Sequence, residues 1–344
     1  MVEQEIEEHP APKEHSSVLA NWRSVMTTGN PPEDAEIDLV SRWLILTRAA
    51  VQPMTITAAA VAGLIAVGAE GFNLLYLLLS ALGVVLAHAA NNLMNDLFDM
   101  DVGADTRNYP RALYAPHPVI SGMITRRGLL IAAAVVNTMC LAILIVLWRA
   151  RGWPILVFAL SGFFISYAYQ APPLRLKRIG LGEPSVFVVW GPLMVGGTYY
   201  AAVGSIDWRV FVASVPYGIM CTSVLMAKHI DKIPWDSDEK IRTIPVLLGE
   251  ARARKATIWI IWLFFLSVVV AVATRSLSVF TLISLLAIPT ALRVIKVLKK
   301  PRPEEKPKRW PIWPLWFAAW AFVLTRRAGL LLIIGLVAGA IFKF

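Results

Sequence analysis

The chain has 344 residues, of which 57% are hydrophobic and only 16% are charged. Soluble domains usually carry charge on about a quarter of their residues, so this chain lacks the polar surface to fold in water alone. Lipid must cover part of it, which excludes an ordinary soluble globular protein. The net charge of +10 would suit nucleic-acid binding. In a membrane protein, however, basic loops and anionic lipid account for such a charge, so we expect no nucleic-acid partner.

The chain begins with MVEQEIEEHPAPKEH, which is acidic and has no apolar core of the kind a signal peptide needs. We therefore predict that residues 1–42 form a polar extension in the cytoplasm, and that residues 43–344 form the transmembrane domain. Cys140 and Cys221 both lie in apolar runs, so a disulfide framework is not expected.

Apolar runs of the length needed to cross a bilayer, about 20 residues, recur along the rest of the chain. They predict an all-α integral membrane protein with about nine transmembrane helices, at 44–69, 72–92, 129–148, 153–169, 185–204, 210–227, 255–274, 277–298 and 326–343. The run 310–324 is rich in Trp and interrupted by prolines, and is predicted to be an interfacial segment before the last helix.

The loops between these helices differ sharply in charge. The basic loops lie around 107–127, 175–178, 228–255 and 296–309, whereas the connections on the other side are short and carry few basic residues. The positive-inside rule places the basic loops in the cytoplasm. The sequence thus predicts a multi-pass protein of the cell membrane with a cytoplasmic N-terminus.

The first acidic cluster follows the second predicted helix and reads NNLMNDLFDMDVGAD over residues 91–105. If the helix continues into this run, Asn91, Asn95 and Asp99 share one face because they are four residues apart. Its four carboxylates would repel one another unless a cation lay among them. Carboxylates and amide oxygens, completed by substrate phosphates, are the usual ligands of Mg²⁺. The run predicts a metal site. A solvated acidic loop is the alternative.

Two further polar loops follow on the same side. One reads YAYQAPPLRLKRIGLGE over 167–183, where Pro172 and Pro173 stop the helix. The other, over 228–249, mixes carboxylates with basic side chains, a composition that suits a metal together with phosphate. Pro234 argues against one regular helix through its acids. Ordinary positive-inside charge is the alternative for the loop at 167–183.

Together, the three loops resemble those of the UbiA superfamily of intramembrane prenyltransferases. NDLFD matches the first part of that family's first Asp motif, YQAPPLRLKRIGLGE is similar to its second conserved loop, and RTIPVLLGE resembles the segment after its second Asp motif. Gly103 falls where the first motif has its last acid. Asp105, two residues on, gives a spacing closer to the dihydroxynaphthoate (menaquinone-pathway) branch. In the second motif, Lys232 replaces one acid, and Lys228 and His229 replace an Asn-Asp pair.

The resemblance implies a UbiA-like bundle that transfers a polyprenyl group from an allylic diphosphate to an aromatic quinone precursor, with Mg²⁺ as cofactor. The metal ligands it implies are Asn95, Asp96, Asp99, Asp231 and Asp236. The diphosphate would be neutralised by Arg111, Lys232, Arg242, Arg175 and Lys177. Substrate-binding candidates are Asn91, Asp105, Tyr167 and Tyr169, and the candidate catalytic carboxylates are Asp99, Asp236 and Asp238.

Three other functions stay open on the sequence. The acceptor could be a sugar phosphate, a glycerol phosphate or a porphyrin instead of an aromatic quinone precursor. The protein could be an inactive relative, given Gly103 and Lys232. It could also be a transporter or lipid-handling protein, although transporters place ion-binding groups near mid-membrane and here the acids lie at predicted helix ends. The prenyl chain length and the oligomeric state are not predicted.

Overall fold

We analysed a computed structural model of the chain. The structure describes residues 17–32, 35–101, 110–308 and 310–342, with the exception of four side chains in these ranges, those of residues 99, 101, 111 and 112. The predicted site residue Asp105 and the side chains of Asp99 and Arg111 therefore lie outside the described part of the chain.

The described residues form helices and connecting turns, without strands. The α-helices α1 to α15 span Val18–Thr28, Leu39–Leu46, Gln52–Ala66, Leu74–Asp101, Pro110–Tyr114, Arg126–Arg151, Pro154–Gln170, Gly182–Val188, Met194–Val203, Trp208–Asp231, Ile233–Asp238, Ile244–Leu248, Glu250–Ala273, Ile288–Leu298 and Phe317–Phe342. Three 3₁₀-helices lie at Ala49–Val51, Leu176–Ile179 and Val279–Ala287. A π-helical turn at Val189–Leu193 joins α8 to α9.

Eight helical segments in the described residues are long and apolar enough to cross a membrane. They are Ala49–Ala66, Leu74–Phe98, Arg126–Arg151, Gly182–Val203, Trp208–Asp231, Glu250–Ala273, Val279–Leu298 and Phe317–Phe342. The shorter apolar helix α7, with 17 residues, corresponds to the remaining predicted span, at the lower end of the length that crosses a bilayer. The prediction of an all-α membrane bundle is confirmed.

Two predicted boundaries are wrong. The first span does not run from residue 44, because α2 ends at Leu46 and the chain turns at Arg48 before the next helix begins. The last span begins at Phe317, so the second half of the predicted interfacial segment belongs to the membrane helix. The prolines of that segment end at Pro314, and nothing after it prevents a continuous helix.

Helix α10 lies at the centre of the bundle and packs against α13, α15 and α8. Helix α4 packs against α6 on one side and against α3 and α9 on the other. Both α4 and α10 run toward the same end, where they finish at Asp101 and Asp231. We call this the polar end of the bundle.

Helix α15 makes a very close contact with the 3₁₀-helix at 279–287 around Gly335. A Cβ atom on Gly335 would lie 2.5 Å from the Cα of Thr281 and 2.6 Å from the carbonyl oxygen of Phe280. Because these atoms are backbone, we expect Gly335→Ala to destabilise the protein by about 1–3 kcal/mol through overpacking. The loss is read as a lower midpoint of thermal unfolding in detergent.

Gly162 in α7 is the matched control, since a Cβ atom there meets nothing within 4 Å. Gly162→Ala should leave the unfolding midpoint unchanged or raise it, because alanine favours a helix by about 1 kcal/mol over glycine. An equal response of both variants would contradict the close contact at Gly335.

The described part of the predicted N-terminal extension packs against the membrane domain. The side-chain amide of Asn30 donates to the carbonyl oxygens of Tyr114, at 2.8 Å, and Pro311, at 3.1 Å. The guanidinium of Arg326 in α15 donates to the carbonyl oxygen of Ala50, at 3.2 Å, and that of Thr27 lies 3.5 Å away. Residues 17–32, which we call the N-terminal segment, are thus held between the first and last membrane helices.

Candidate active site

A cavity of about 890 Å³ opens inside the bundle. Its apolar part is lined by Gly83, Leu141, Leu144, Leu147, Ile155, Phe158, Gly162 and Phe163. Its polar part is lined by Arg48, Asn91, Asn92, Asn95, Tyr114 and Lys228. Ser80 and Asn95 of α4 both line the wall, and at 1.5 Å per residue they are about 22 Å apart along the helix. The cavity therefore combines a long, mostly apolar channel with a group of charged and amide side chains at the polar end of the bundle, which we call the mouth.

The first acidic cluster supplies one wall of this mouth. Helix α4 continues to Asp101, so Asn91, Asn95 and position 99 do follow one another on the same face. The side-chain oxygen of Asn91 accepts a hydrogen bond from the hydroxyl of Ser166 at 2.7 Å. Asn92 donates to the carbonyl oxygen of Thr47 at 3.1 Å. These bonds hold α4 against its neighbours and leave Asn95 at the cavity wall.

Asp96 forms a buried ion pair with Arg48, and its own side chain has no exposed surface. Arg48 was not among the predicted site residues. It lies in the turn before the first long span in a left-handed conformation, φ 53°, which costs a non-glycine residue about 1–3 kcal/mol. A backbone held in this region directs the guanidinium to the buried carboxylate and the mouth of the cavity.

The second acidic cluster is broken at Pro234, as predicted. Helix α10 ends at Asp231 and α11 begins at Ile233, with Pro234 in its first turn. The acidic residues before and after this break have different partners. Asp236 is fully buried and pairs with the ammonium of Lys232 at 3.1 Å, whereas Asp238 and Arg242 are exposed.

Asp231 caps the last membrane helix. Its two carboxylate oxygens accept hydrogen bonds from the backbone N–H groups of Phe317, at 3.0 Å, and Ala318, at 2.8 Å. Carboxylates commonly satisfy the unpaired N–H groups at a helix start in this way. Neither Asp231 nor Asp236 lines the cavity. Their assignment as metal ligands stays a prediction, and the structure gives each of them another partner.

This capping role leads to a prediction. Asp231→Ala should lower the free energy of unfolding by about 0.5–2 kcal/mol, the usual cost of a lost cap. Asp231→Ser should keep most of the stability, because a hydroxyl also caps a helix. The midpoint of thermal unfolding reports the stability lost with the cap. The Mg²⁺ concentration at half-maximal activity reports whether Asp231 ligates the metal. A large change of that concentration in a stable Asp231→Ser protein would contradict a purely structural role.

The proline-rich loop is fastened to the end of α10. Glu183 and His229 are both buried, and the carboxylate lies 2.7 Å from the ring Nδ1 of the histidine. Lys177 is also buried. It follows Arg175, whose backbone is left-handed with φ 45°. Among the predicted substrate-binding residues, Tyr167 and Tyr169 line the cavity, where the ring of Tyr167 meets that of Phe98 edge-on.

Two residues of α10 and α4 at the cavity were missed by the sequence analysis. Lys228 lines the mouth with its ammonium 5.9 Å from the ring centre of Tyr114. Deeper along α4, His88 is buried against the hydroxyl of Thr55, at 2.8 Å, and meets the ring of Trp190 edge-on. Single basic residues in or beside apolar runs carry no signal of their own, so only their position in the bundle reveals them. The N-terminal segment adds Thr27, Thr28 and Gly29 to the wall.

The donor groups of α4 fit one Mg²⁺ ion. The described residues contain no cluster of three or more His, Cys, Asp or Glu side chains that could hold a metal without help. Mg²⁺, however, is usually bound by one or two carboxylates, with water and substrate phosphates completing its coordination. Asn95 provides an amide oxygen at the mouth, and the carboxylate of the next residue, Asp96, is buried beside it against Arg48, which also lines the mouth.

Comparison with known proteins gives the same family that the motifs indicate. The model of the UbiA prenyltransferase family matches residues 56–323. The 2-carboxy-1,4-naphthoquinone phytyltransferase of Synechocystis sp. is 32% identical over 189 residues, which cover 54% of this chain and 58% of that protein. The 1,4-dihydroxy-2-naphthoate octaprenyltransferase of Haemophilus influenzae is 28% identical over 193 residues, covering 54% of this chain and 61% of that protein. The chain thus spans less than two thirds of the length of these relatives.

A solved structure of similar architecture is a UbiA homolog from Archaeoglobus fulgidus bound to GPP and Mg²⁺. It superposes with a TM-score of 0.59 at 16% sequence identity, over 85% of this chain and 99% of that one. A digeranylgeranylglyceryl phosphate synthase superposes with a TM-score of 0.57 at 16% identity, over 88% of this chain and 98% of that one. At this identity the two structures establish the fold, and the family match establishes membership. The chain is a multi-pass membrane protein that belongs to the UbiA prenyltransferase family.

Proposed function

We propose that the protein transfers a polyprenyl group from an allylic diphosphate to an aromatic acceptor of the naphthoate or naphthoquinone type, in a reaction that depends on Mg²⁺. Relatives that are named for such transfers support the acceptor class. The diphosphate end of the cavity faces the cytoplasm, as the basic loops at this end predict.

The observation that carries the proposal is the shape and lining of the cavity. An apolar channel about 22 Å long leads to a mouth lined by Arg48, Asn95 and Lys228. An allylic diphosphate has two parts that match these, an apolar tail and a compact polyanionic headgroup. The hydrophobic effect favours the tail in the channel, and cationic side chains form charge-assisted hydrogen bonds to phosphate oxygens at the mouth.

At the mouth, the residues of this chain bind and orient the donor. Asn95 and Asp96, with Asp99 one turn further on, would hold Mg²⁺, which when bound supplies Lewis-acid neutralisation of the leaving diphosphate. Arg48 holds the carboxylate of Asp96 in place. Fixed positive groups at this position stabilise the charge that develops as the C–O bond to the diphosphate breaks.

The channel protects the reacting carbon from water. Its wall near the mouth contains Tyr167, Tyr169 and Phe163, and aromatic faces stabilise a nearby cation. The electron-rich acceptor ring attacks the allylic carbon, forms the new C–C bond and then loses its ring proton to a base. Candidate bases are Asp99, Asp236 and Asp238. Of the two whose side chains are described, Asp236 is buried and Asp238 is exposed.

Mass spectrometry of lipids from membranes that contain the protein tests this function. The membranes are supplied with Mg²⁺, allylic diphosphates of several lengths, and dihydroxynaphthoate, a carboxylated naphthoquinone or hydroxybenzoate. We expect a prenylated naphthoate-type product that membranes with the Asp99→Ala variant do not make. A product with hydroxybenzoate alone would overturn the acceptor class. The absence of both product and diphosphate release with every donor would overturn the transferase.

A further inference from the structure

The α10 side of the mouth presents positive charge. Lys228 lies in the last turn of α10 and lines the cavity, with its ammonium above the ring of Tyr114. The positive charges of Arg48, Lys177 and Lys232 all act on it. Arg48 and Lys228 line the cavity, and Lys177 and Lys232 lie near enough to Lys228 for their charges to act on it.

Carboxylates pair with two of these cations, since Asp96 binds Arg48 and Asp236 binds Lys232. Asp231 is turned to the start of α15, and Asp236 pairs with Lys232 away from the cavity wall. Within the described ranges, Lys228 has no carboxylate among its ion pairs. The donor groups on this side accordingly do not suit a divalent cation, in contrast to those on α4.

Like charges held close together repel one another, and the repulsion grows as water is excluded. A compact polyanion relieves it, because each ammonium can donate to phosphate oxygens. We propose that Lys228 binds the diphosphate directly. With Lys177 and Lys232 beside it, Lys228 neutralises the diphosphate on the α10 side, as a metal ion does on the α4 side. The protein then holds its diphosphate between one metal ion and one group of lysines. This inference rests on the proposed function and names the contacts of the same site.

Binding of inorganic pyrophosphate to the purified protein tests the role of Lys228, by titration calorimetry in Mg²⁺ and again in EDTA. Lys228→Gln should weaken binding about tenfold or more under both conditions, as expected for a lost charge-assisted hydrogen bond. Lys228→Arg should retain binding within a few-fold, which also reports that the fold tolerates a change at this position. Lys255→Gln, an exposed lysine on α13, is the matched control and should bind like the unchanged protein.

The number of bound metal ions tests the second part of the inference, that the diphosphate is held by one metal ion. Mn²⁺ titration followed by electron paramagnetic resonance, with pyrophosphate present, should give one ion per chain and no spin coupling. A coupled pair of Mn²⁺ ions would overturn the inference, as would unchanged pyrophosphate binding by Lys228→Gln. Neither result depends on prenyl transfer. Failure to form a prenylated product, with pyrophosphate binding as expected, would overturn the proposed function and leave the lysine site intact.

Discussion

Asp96→Ala should reduce prenyl transfer by about 10³-fold or more, the order expected when several kcal/mol of charge stabilisation is lost at a metal-assisted step. The same change should also destabilise the protein. Asp96 is fully buried and its partner Arg48 is only 19% exposed, and removal of one member of such a pair costs about 3–5 kcal/mol. The rate of prenyl transfer and the midpoint of thermal unfolding, measured on the same preparation, give the loss of activity and the loss of stability.

A double variant separates the two effects. Arg48→Ala together with Asp96→Ala leaves no uncompensated charge, so we expect it to recover much of the stability lost in the single variant. Activity should not return, because the carboxylate is still missing and a cationic group of the mouth has been removed as well. A stable double variant with normal transfer would show that the pair is only structural.

Gly162→Leu should change the donor preference of the protein. Gly162 lies midway along α7 on the wall of the channel, and a side chain added there meets open space. The leucine therefore enters the channel without displacing the backbone, and it blocks the path of a long tail. We expect transfer from octaprenyl diphosphate to fall by about tenfold or more relative to transfer from geranyl diphosphate, since misplacing a substrate by one ångström costs up to about 10²-fold.

Competition assays with mixed donors, analysed by mass spectrometry of the products, measure this shift directly. Gly162→Ala, which adds one methyl group, should have a much smaller effect on the ratio. Equal loss with every donor would mean that the tail does not pass Gly162.

The membrane bundle was predictable because its signal is long and repeated. Nine apolar runs predict helices almost whatever their exact residues, because a backbone inside lipid must satisfy its own hydrogen bonds. The face formed by Asn91 and Asn95 was predictable for a similar reason, since helical spacing alone places them together. Pro234 likewise located the break between α10 and α11.

The partners of the acids were not predictable, because they come from distant parts of the chain. Arg48 and Asp96 are 48 residues apart, and Asp231 and Phe317 are 86 residues apart. A carboxylate that caps a helix and a carboxylate that holds a metal have the same appearance in a sequence. Lys228 was overlooked for the opposite reason, since a lysine at the end of a membrane helix is also what the positive-inside rule expects.

The hydrogen bonds of Asn30 and Arg326 also bear on how the protein is made. The N-terminal segment leaves the ribosome well before its partners, because Pro311 and Arg326 follow only after a further 281 to 299 residues have been added. At roughly 5–20 residues per second, this is a wait of about 15 to 60 seconds. Until then the wall of the cavity beside Ala50 is incomplete, so the cavity is completed only when α15 has entered the bilayer.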